Sequence, residues 1–317
     1  MTAVARLRHF ERLCAEAAEA MNGSCDAAIV HNSMYVAAPP ILRKLSIPSV
    51  YFCYEYPRHI YESDLIRRTG SPVLEILLSP LTAAERKMDR ESVAAAGSIV
   101  CLSGYMAGRI REIYGREAAV VRPGVDTRFF CPSGPKGGGG GYALSVGALW
   151  PFKGHDFALR AAALAGMKHL VIVADREFPG YRRSLRKLSE KLRVETLILQ
   201  SLSDTELRQV YRDAAVVICG QAREPYGMVP LEAAACGRPV VAVEEGGLPE
   251  NLLSGETGYV VPRDPEAAAR KISLLAANPS EASAMGMAGR TFVLARRRRE
   301  EAADALYHLV CDQLRID

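Results

Sequence analysis

The chain has 317 residues, 49% hydrophobic and 24% charged, with a formal net charge of +4. The length suits two domains and the composition a globular protein, while so small a charge gives no ground for nucleic acid as a partner. No apolar run reaches the ~18 residues of a membrane-spanning helix, and the amphipathic opening MTAVARLRHFERLCAEAAEA lacks the apolar core of a signal peptide. The eight cysteines include no Cys-x-x-Cys pair. That argues against structural zinc and a disulfide framework, and a cytoplasmic location is expected.

Residues 3–21 read as a helix, 26–31 as a strand, 34–45 as a helix and 48–53 as a second strand. Helical periodicity returns over 75–96, then a strand at 97–102, a helix at 105–114 and a strand at 118–121. Ser103 reads as the cap of the 105–114 helix. The Pro- and Gly-rich stretch 122–141 reads as an interdomain linker, its five-glycine run as a flexible loop. A second series follows, with strands at 142–146, 169–174, 195–199, 215–219, 239–243 and 258–261. Helices are expected between them at 155–165, 180–192, 204–213, 228–236, 265–277 and 280–294, with one more at 300–315. Strands alternating with helices mean parallel sheet, so two doubly wound α/β domains are expected. The domains divide as 1–134, 135–299 and a closing helix 300–317. Ligands of such sheets bind beyond the carboxyl ends of the strands, and the groove between two such domains is the expected active site.

The chemistry concentrates in EPYGMVPLEAAACGRPVVA, which starts at Glu224. Pro225 and Gly227 precede an apolar helical run, Gly237 stops it, and the strand after Pro239 reads as buried. This sets Glu224 at the mouth of a helix and Glu232 about two turns inside. The backbone amides near Gly227, Met228 and Val229 would be first-turn donors, suited to a phosphate. Two carboxylates beside a phosphate cradle suit a sugar nucleotide. Glu224 alone could simply favour the helix dipole, and Glu232 could be a surface carboxylate. Upstream, SVGALWPFKG closes a strand at Ser145 and opens a helix at Gly154, setting Lys153 where its ammonium can meet a phosphate. The alternative is a solvated lysine after a turn.

These stretches, with EEGGLPENLLSGETGYVVP at 244–262, resemble retaining glycosyltransferases of family 4, in the GT-B superfamily. The resemblance implies two Rossmann-like domains facing a cleft, with the closing helix crossing back to the first. It implies sugar transfer from a nucleoside-diphosphate donor to a hydroxyl acceptor, with no cofactor. Lys153 would contact the donor diphosphate, Gly147 would be part of the donor site, Tyr226, Gly227, Met228 and Val229 would offer amides to the phosphates, and Glu232 would bind the ribose hydroxyls. Glu224 would face the donor sugar near the reacting carbon. Gly246 and Gly247 would shape a second loop at the same cleft. No Asp-x-Asp motif stands in a cleft position, so no metal ion is expected. Ala148 stands where an arginine is usual, and Tyr54 where some members carry histidine. These departures keep open a second reading, a catalytically silent relative that binds nucleotide or pairs with an active subunit. Arg58, His59 and His31 are the acceptor-side candidates, with capping or surface roles as the alternative. The first domain reads as short, with four strands and no opening strand and glycine-rich loop before residue 26. Either the true start lies upstream, or this is a natural short form whose open edge would call for a homodimer or partner chain. The run Arg296–Arg299 is either a solvated face or a peripheral contact with anionic lipid at the inner membrane face.

Overall fold

Two parallel sheets organise the chain, each in its own unit: Met1–Arg122 with Asp304–Asp317, and Pro123–Ala303. The computed structural model describes residues 3–33, 36–65, 71–134 and 141–314. The first sheet holds β1 (Ala28–His31), β2 (Ser49–Cys53), β3 (Ser98–Cys101) and β4 (Ala119–Val120), in that spatial order and all parallel. Side chains alternate between faces. Tyr51, Cys53, Ile99 and Cys101 pack on one face against Met106 and Ile110. Val50, Phe52 and Val100 pack on the other, under Leu306, Leu309 and Val310 of the last helix, Arg299–Leu314. Every residue of β2 is buried, as a parallel strand covered on both faces requires.

The second sheet holds β5 (Tyr142–Val146), β6 (His169–Ala174), β7 (Glu195–Gln200), β8 (Ala214–Cys219), β9 (Val240–Val243) and β10 (Tyr259–Val261). Its order is β10-β9-β8-β5-β6-β7, so the winding reverses between β5 and β8. Loops leaving the carboxyl ends of those two neighbours diverge, and a doubly wound sheet opens its ligand crevice at such a point. Helices His155–Leu164, Tyr181–Leu192, Asp204–Asp213 and Met228–Ala235 connect strands, and Pro265–Ala277 and Pro279–Arg296 follow the last one.

Several boundaries differ from the sequence reading. The expected helix 34–45 is reduced, in its described part, to a 3-10 turn at Pro40–Arg43. Pro39 and Pro40 lack the N–H groups a longer helix needs. The run 75–96 is two helices, Pro72–Leu77 and Ser79–Ala95, parted at Leu78 just before Pro80. A short helix at Arg58–Tyr61 was not anticipated. The stretch 123–134, assigned to the first domain, belongs to the second unit. Val125 N donates to Arg297 O at 2.8 Å, and Arg212 Nε to Cys131 O at 2.6 Å. Gly124 lies so close to this strap that a Cβ would fall 2.2 Å from the Arg298 carbonyl carbon. Most of the five-glycine run, residues 137–140, lies outside the described residues. Among the described residues no helix is long and apolar enough to cross a membrane. All eight cysteines are free thiols.

Candidate active site

The site is built on the loops after β5 and β8. Gly147 follows β5 at φ +148, a conformation that favours glycine, and its N–H donates to Val173 O at the end of β6. His155 pins the next turn from beneath. It is fully buried, with Nε2 at 3.1 Å from both Gly147 O and Ala148 O and Nδ1 at 2.9 Å from Ser145 Oγ. Carbonyls only accept, so Nε2 carries the proton and Nδ1 accepts from Ser145. Burial pushes His155 down to about 4, which leaves the ring neutral near pH 7.

Lys153 ends the 3-10 turn Pro151–Lys153. Gly154, at φ +69, then passes the loop after β8 so closely that a Cβ would lie 1.9 Å from Gly220 O. Two loops from neighbouring strands are thereby locked together, and this brings Lys153 Nζ to 2.8 Å from Glu224 Oε2. The ion pair is partly open, with 23% and 18% of the two side chains exposed. The Gly246–Gly247 loop supports Glu224 from behind, Gly247 N donating to Glu224 O at 2.7 Å. Arg263 braces the same loop. It forks onto both oxygens of Glu245 and donates through Nη1 to Gly220 O at 3.0 Å.

The helix after Glu224 begins at Met228, with Gly227 as its cap at φ +92 and no side chain capping it. Glu224 therefore stands in the loop, and Glu232 is about one turn inside the helix instead of two. Pro225 is likewise outside the helix, and Pro230 occupies its first turn. Gly227 is buried under Leu248, while Met228 and Val229 are half-buried. Tyr226 is buried and its hydroxyl donates to Pro123 O at 2.7 Å, so its side chain anchors the turn. Asn251 Nδ2 donates to the carbonyls of Tyr226 and Gly227 at 2.8 and 3.1 Å. Glu232 receives the Tyr211 hydroxyl on Oε2 at 2.6 Å. Burial pushes its carboxyl up, and the Tyr211 hydrogen bond opposes that push. Beside Gly147, a cavity of about 200 Å³ is lined by Val173, Asp175, Ser201 and Leu207, at the carboxyl ends of β5–β7. Among the described residues no group of three or more His, Cys, Asp or Glu is placed to hold a metal ion.

The acceptor-side candidates belong to the other unit. His31 stacks on Tyr54 with ring centroids 5.4 Å apart, and its Nδ1 lies 2.8 Å from the Tyr54 hydroxyl. His59 is half-buried with Nε2 at 3.3 Å from Glu85. Arg58 is enclosed. Its Nε donates to Glu62 at 2.7 Å, and Tyr56 donates to the same carboxylate at 2.6 Å. Ser103 caps its helix through Met106 N, in keeping with the capping reading. In the run Arg296–Arg299, Arg297 donates to Glu250 O and Arg299 pairs with Asp126, so part of it is engaged within its own unit. Sequence reading passed over His155, Tyr211, Asn251 and Arg263. His155 directly follows the Lys-Gly pair and stood within reach of inspection. The other three act only through tertiary contact and left no local signal.

A family model described as glycosyl transferases group 1 matches residues 128–292, just over half of the chain. The chain belongs to this family. A curated relative, the D-inositol 3-phosphate glycosyltransferase of Acidothermus cellulolyticus, is 35% identical over 55% of the chain. The chain spans 44% of that relative's length. Among solved structures, the sucrose-phosphate synthase of Thermosynechococcus elongatus superposes with a TM-score of 0.78 at 19% identity, covering 98% of this chain and 79% of that one. HepE of Anabaena, solved with UDP, gives 0.75 at 17% identity, covering 95% and 82%. At such identities the likeness carries the fold, which is the two-sheet α/β plan of the GT-B glycosyltransferases.

Proposed function

We propose that this group 1 family member is a retaining, metal-independent glycosyltransferase that takes its sugar from a nucleoside diphosphate. The observation that carries the reading is the Lys153–Glu224 pair, 2.8 Å apart and partly open, at an N-terminus that no side chain caps. A diphosphate seated there meets the first-turn amides of Met228 and Val229 and the Lys153 ammonium. Fixed donors of this kind stabilise a leaving anion without reorganising. Glu232 has Oε2 engaged by Tyr211, and Oε1 accepts from no described residue, which leaves an acceptor for a ribose hydroxyl. Glu224 is then the carboxylate nearest the sugar, where its charge suits an oxocarbenium-like transition state. The bond from the anomeric carbon to the diphosphate oxygen breaks as the bond to the acceptor oxygen forms on the same face. The acceptor's proton passes to the departing phosphate. A structural neighbour's binding of UDP makes UDP-sugars the first donors to test.

The test is release of nucleoside diphosphate from UDP-, GDP- and ADP-sugars by purified protein, with the anomeric configuration of the product read by NMR. Turnover with retention, lost in Lys153→Met, supports the proposal. A silent subunit would give binding without turnover. Unchanged turnover in Lys153→Met would overturn the assignment.

A further inference from the structure

At the opposite end of the second sheet lies a cavity of about 480 Å³ that the candidate active site does not use. Gly141, Val216 and Pro239 border it at the amino ends of β5, β8 and β9, whereas Gly147, Lys153 and Glu224 follow carboxyl ends. Met167, Ile272, Leu275 and Ala282 make its walls apolar, and the exposed Ala276 and Pro279 mark its mouth. A volume in this range is typical of a small-molecule site.

Arg238 lines this space, with Ser283 as its one other polar side chain, and is 4% exposed. Its Nε and Nη2 have no hydrogen-bond partner, and Nη1 has only Ala214 O at 3.5 Å. Other arginines with a buried unpaired Nε, Arg43 and Arg208, still place their terminal nitrogens on acceptors. Among the described residues Arg238 alone leaves two buried guanidinium nitrogens empty. Buried donors are seldom left so, because the desolvation is uncompensated. The nearby carboxylate of Asp213 does not fill the gap, since it is exposed and bonded by Gln209 Nε2 at 3.0 and 3.1 Å.

The two empty donors define the shape of the missing partner. Nε and Nη2 form one edge of the guanidinium, which matches the two oxygens of a carboxylate. The same chain uses this edge elsewhere. Arg111 meets Glu117 through Nε and Nη2 at 2.7 and 2.6 Å, and Arg263 grips Glu245 in the same way. We propose that the cavity at the amino ends of β5, β8 and β9 binds a carboxylate with an apolar body, headed by Arg238. A medium-chain organic acid fits that description, its tail against Ile272, Leu275 and Met167. The site is separate from the donor site and does not depend on how that site is read.

Calorimetric titration of the full chain with octanoate tests this, with octan-1-ol as the neutral control. Octanoate is expected to bind one per chain, and octanol at least about tenfold more weakly, the loss of one strong charge-assisted contact. Arg238→Met keeps an unbranched apolar stem as far as the Nε position and removes the charged head. It is expected to unfold at the same or a higher temperature and to lose octanoate affinity by about tenfold or more. Ala282→Trp fills the cavity while keeping Arg238, and is expected to abolish binding of both probes. Octanoate binding that is absent at millimolar concentration, equal to that of octanol, or unchanged in Arg238→Met or Ala282→Trp overturns the proposal.

Discussion

Arg58 and Lys153 invite comparison. Each is a cation on a turn shortly after a parallel strand, β2 in one unit and β5 in the other, and from sequence each is a candidate for meeting a ligand. The structure gives them different surroundings. Arg58 is 5% exposed and closed in by Glu62, which is itself buried and also bonded by Tyr56. Lys153 keeps 23% of its side chain exposed and faces Glu224, itself partly open. An enclosed guanidinium held by a buried carboxylate braces a loop. An ammonium in a partly open pair can exchange its partner for a phosphate. Position after a strand nominates a residue, and the count of unspent hydrogen-bonding capacity decides between the two roles.

The largest effect expected from breaking this contrast is on stability. Arg58→Met leaves Glu62 buried without its cation, and should cost about 3–5 kcal/mol in chemical denaturation. It should leave nucleotide affinity at the second unit unchanged. The same substitution at Lys153 should do the reverse. Lys153→Met is expected to lower kcat/KM about 100-fold, close to 3 kcal/mol of transition-state stabilisation, with little change in the denaturation midpoint. Glu232→Gln should be milder, weakening the nucleotide about tenfold through loss of one charged acceptor, with a smaller change in kcat. The smallest effect is on pH dependence. His155 is held near 4 in the folded chain against about 6.5 when unfolded, so the unfolded state takes the proton first. Its contribution is whole above pH 6.5 and declines as pH falls towards 4. That is about 1 kcal/mol lost between pH 7 and pH 5.5, readable as a lower melting temperature. His155→Asn should flatten that slope.

Much of the second unit was legible because its strands are short apolar runs bounded by breakers. The stretches 169–174 and 215–219 read as parallel strands, and the structure has strands there at His169–Ala174 and Ala214–Cys219. The spacing of Glu224 and Glu232 was legible too. Their depth in the helix was not, because Pro225 looked like an entry residue while the chain needs Gly227 at positive φ to begin the turn. The 34–45 stretch misled for a related reason, its apolar spacing being helical while Pro39 and Pro40 remove donors. No pattern could show that Arg263 returns to hold Glu245, or that Arg58 meets Glu62 in the interior, since those contacts exist only after the loops have packed.

The most direct test of the account is a calorimetric titration of UDP into the wild-type chain, Lys153→Met, Glu232→Gln and Arg58→Met at one pH and ionic strength. The account predicts one site per chain, about tenfold weaker in the Lys153 and Glu232 variants and unchanged in whatever Arg58→Met protein remains folded. Equal affinity in wild type, Lys153→Met and Glu232→Gln would contradict it.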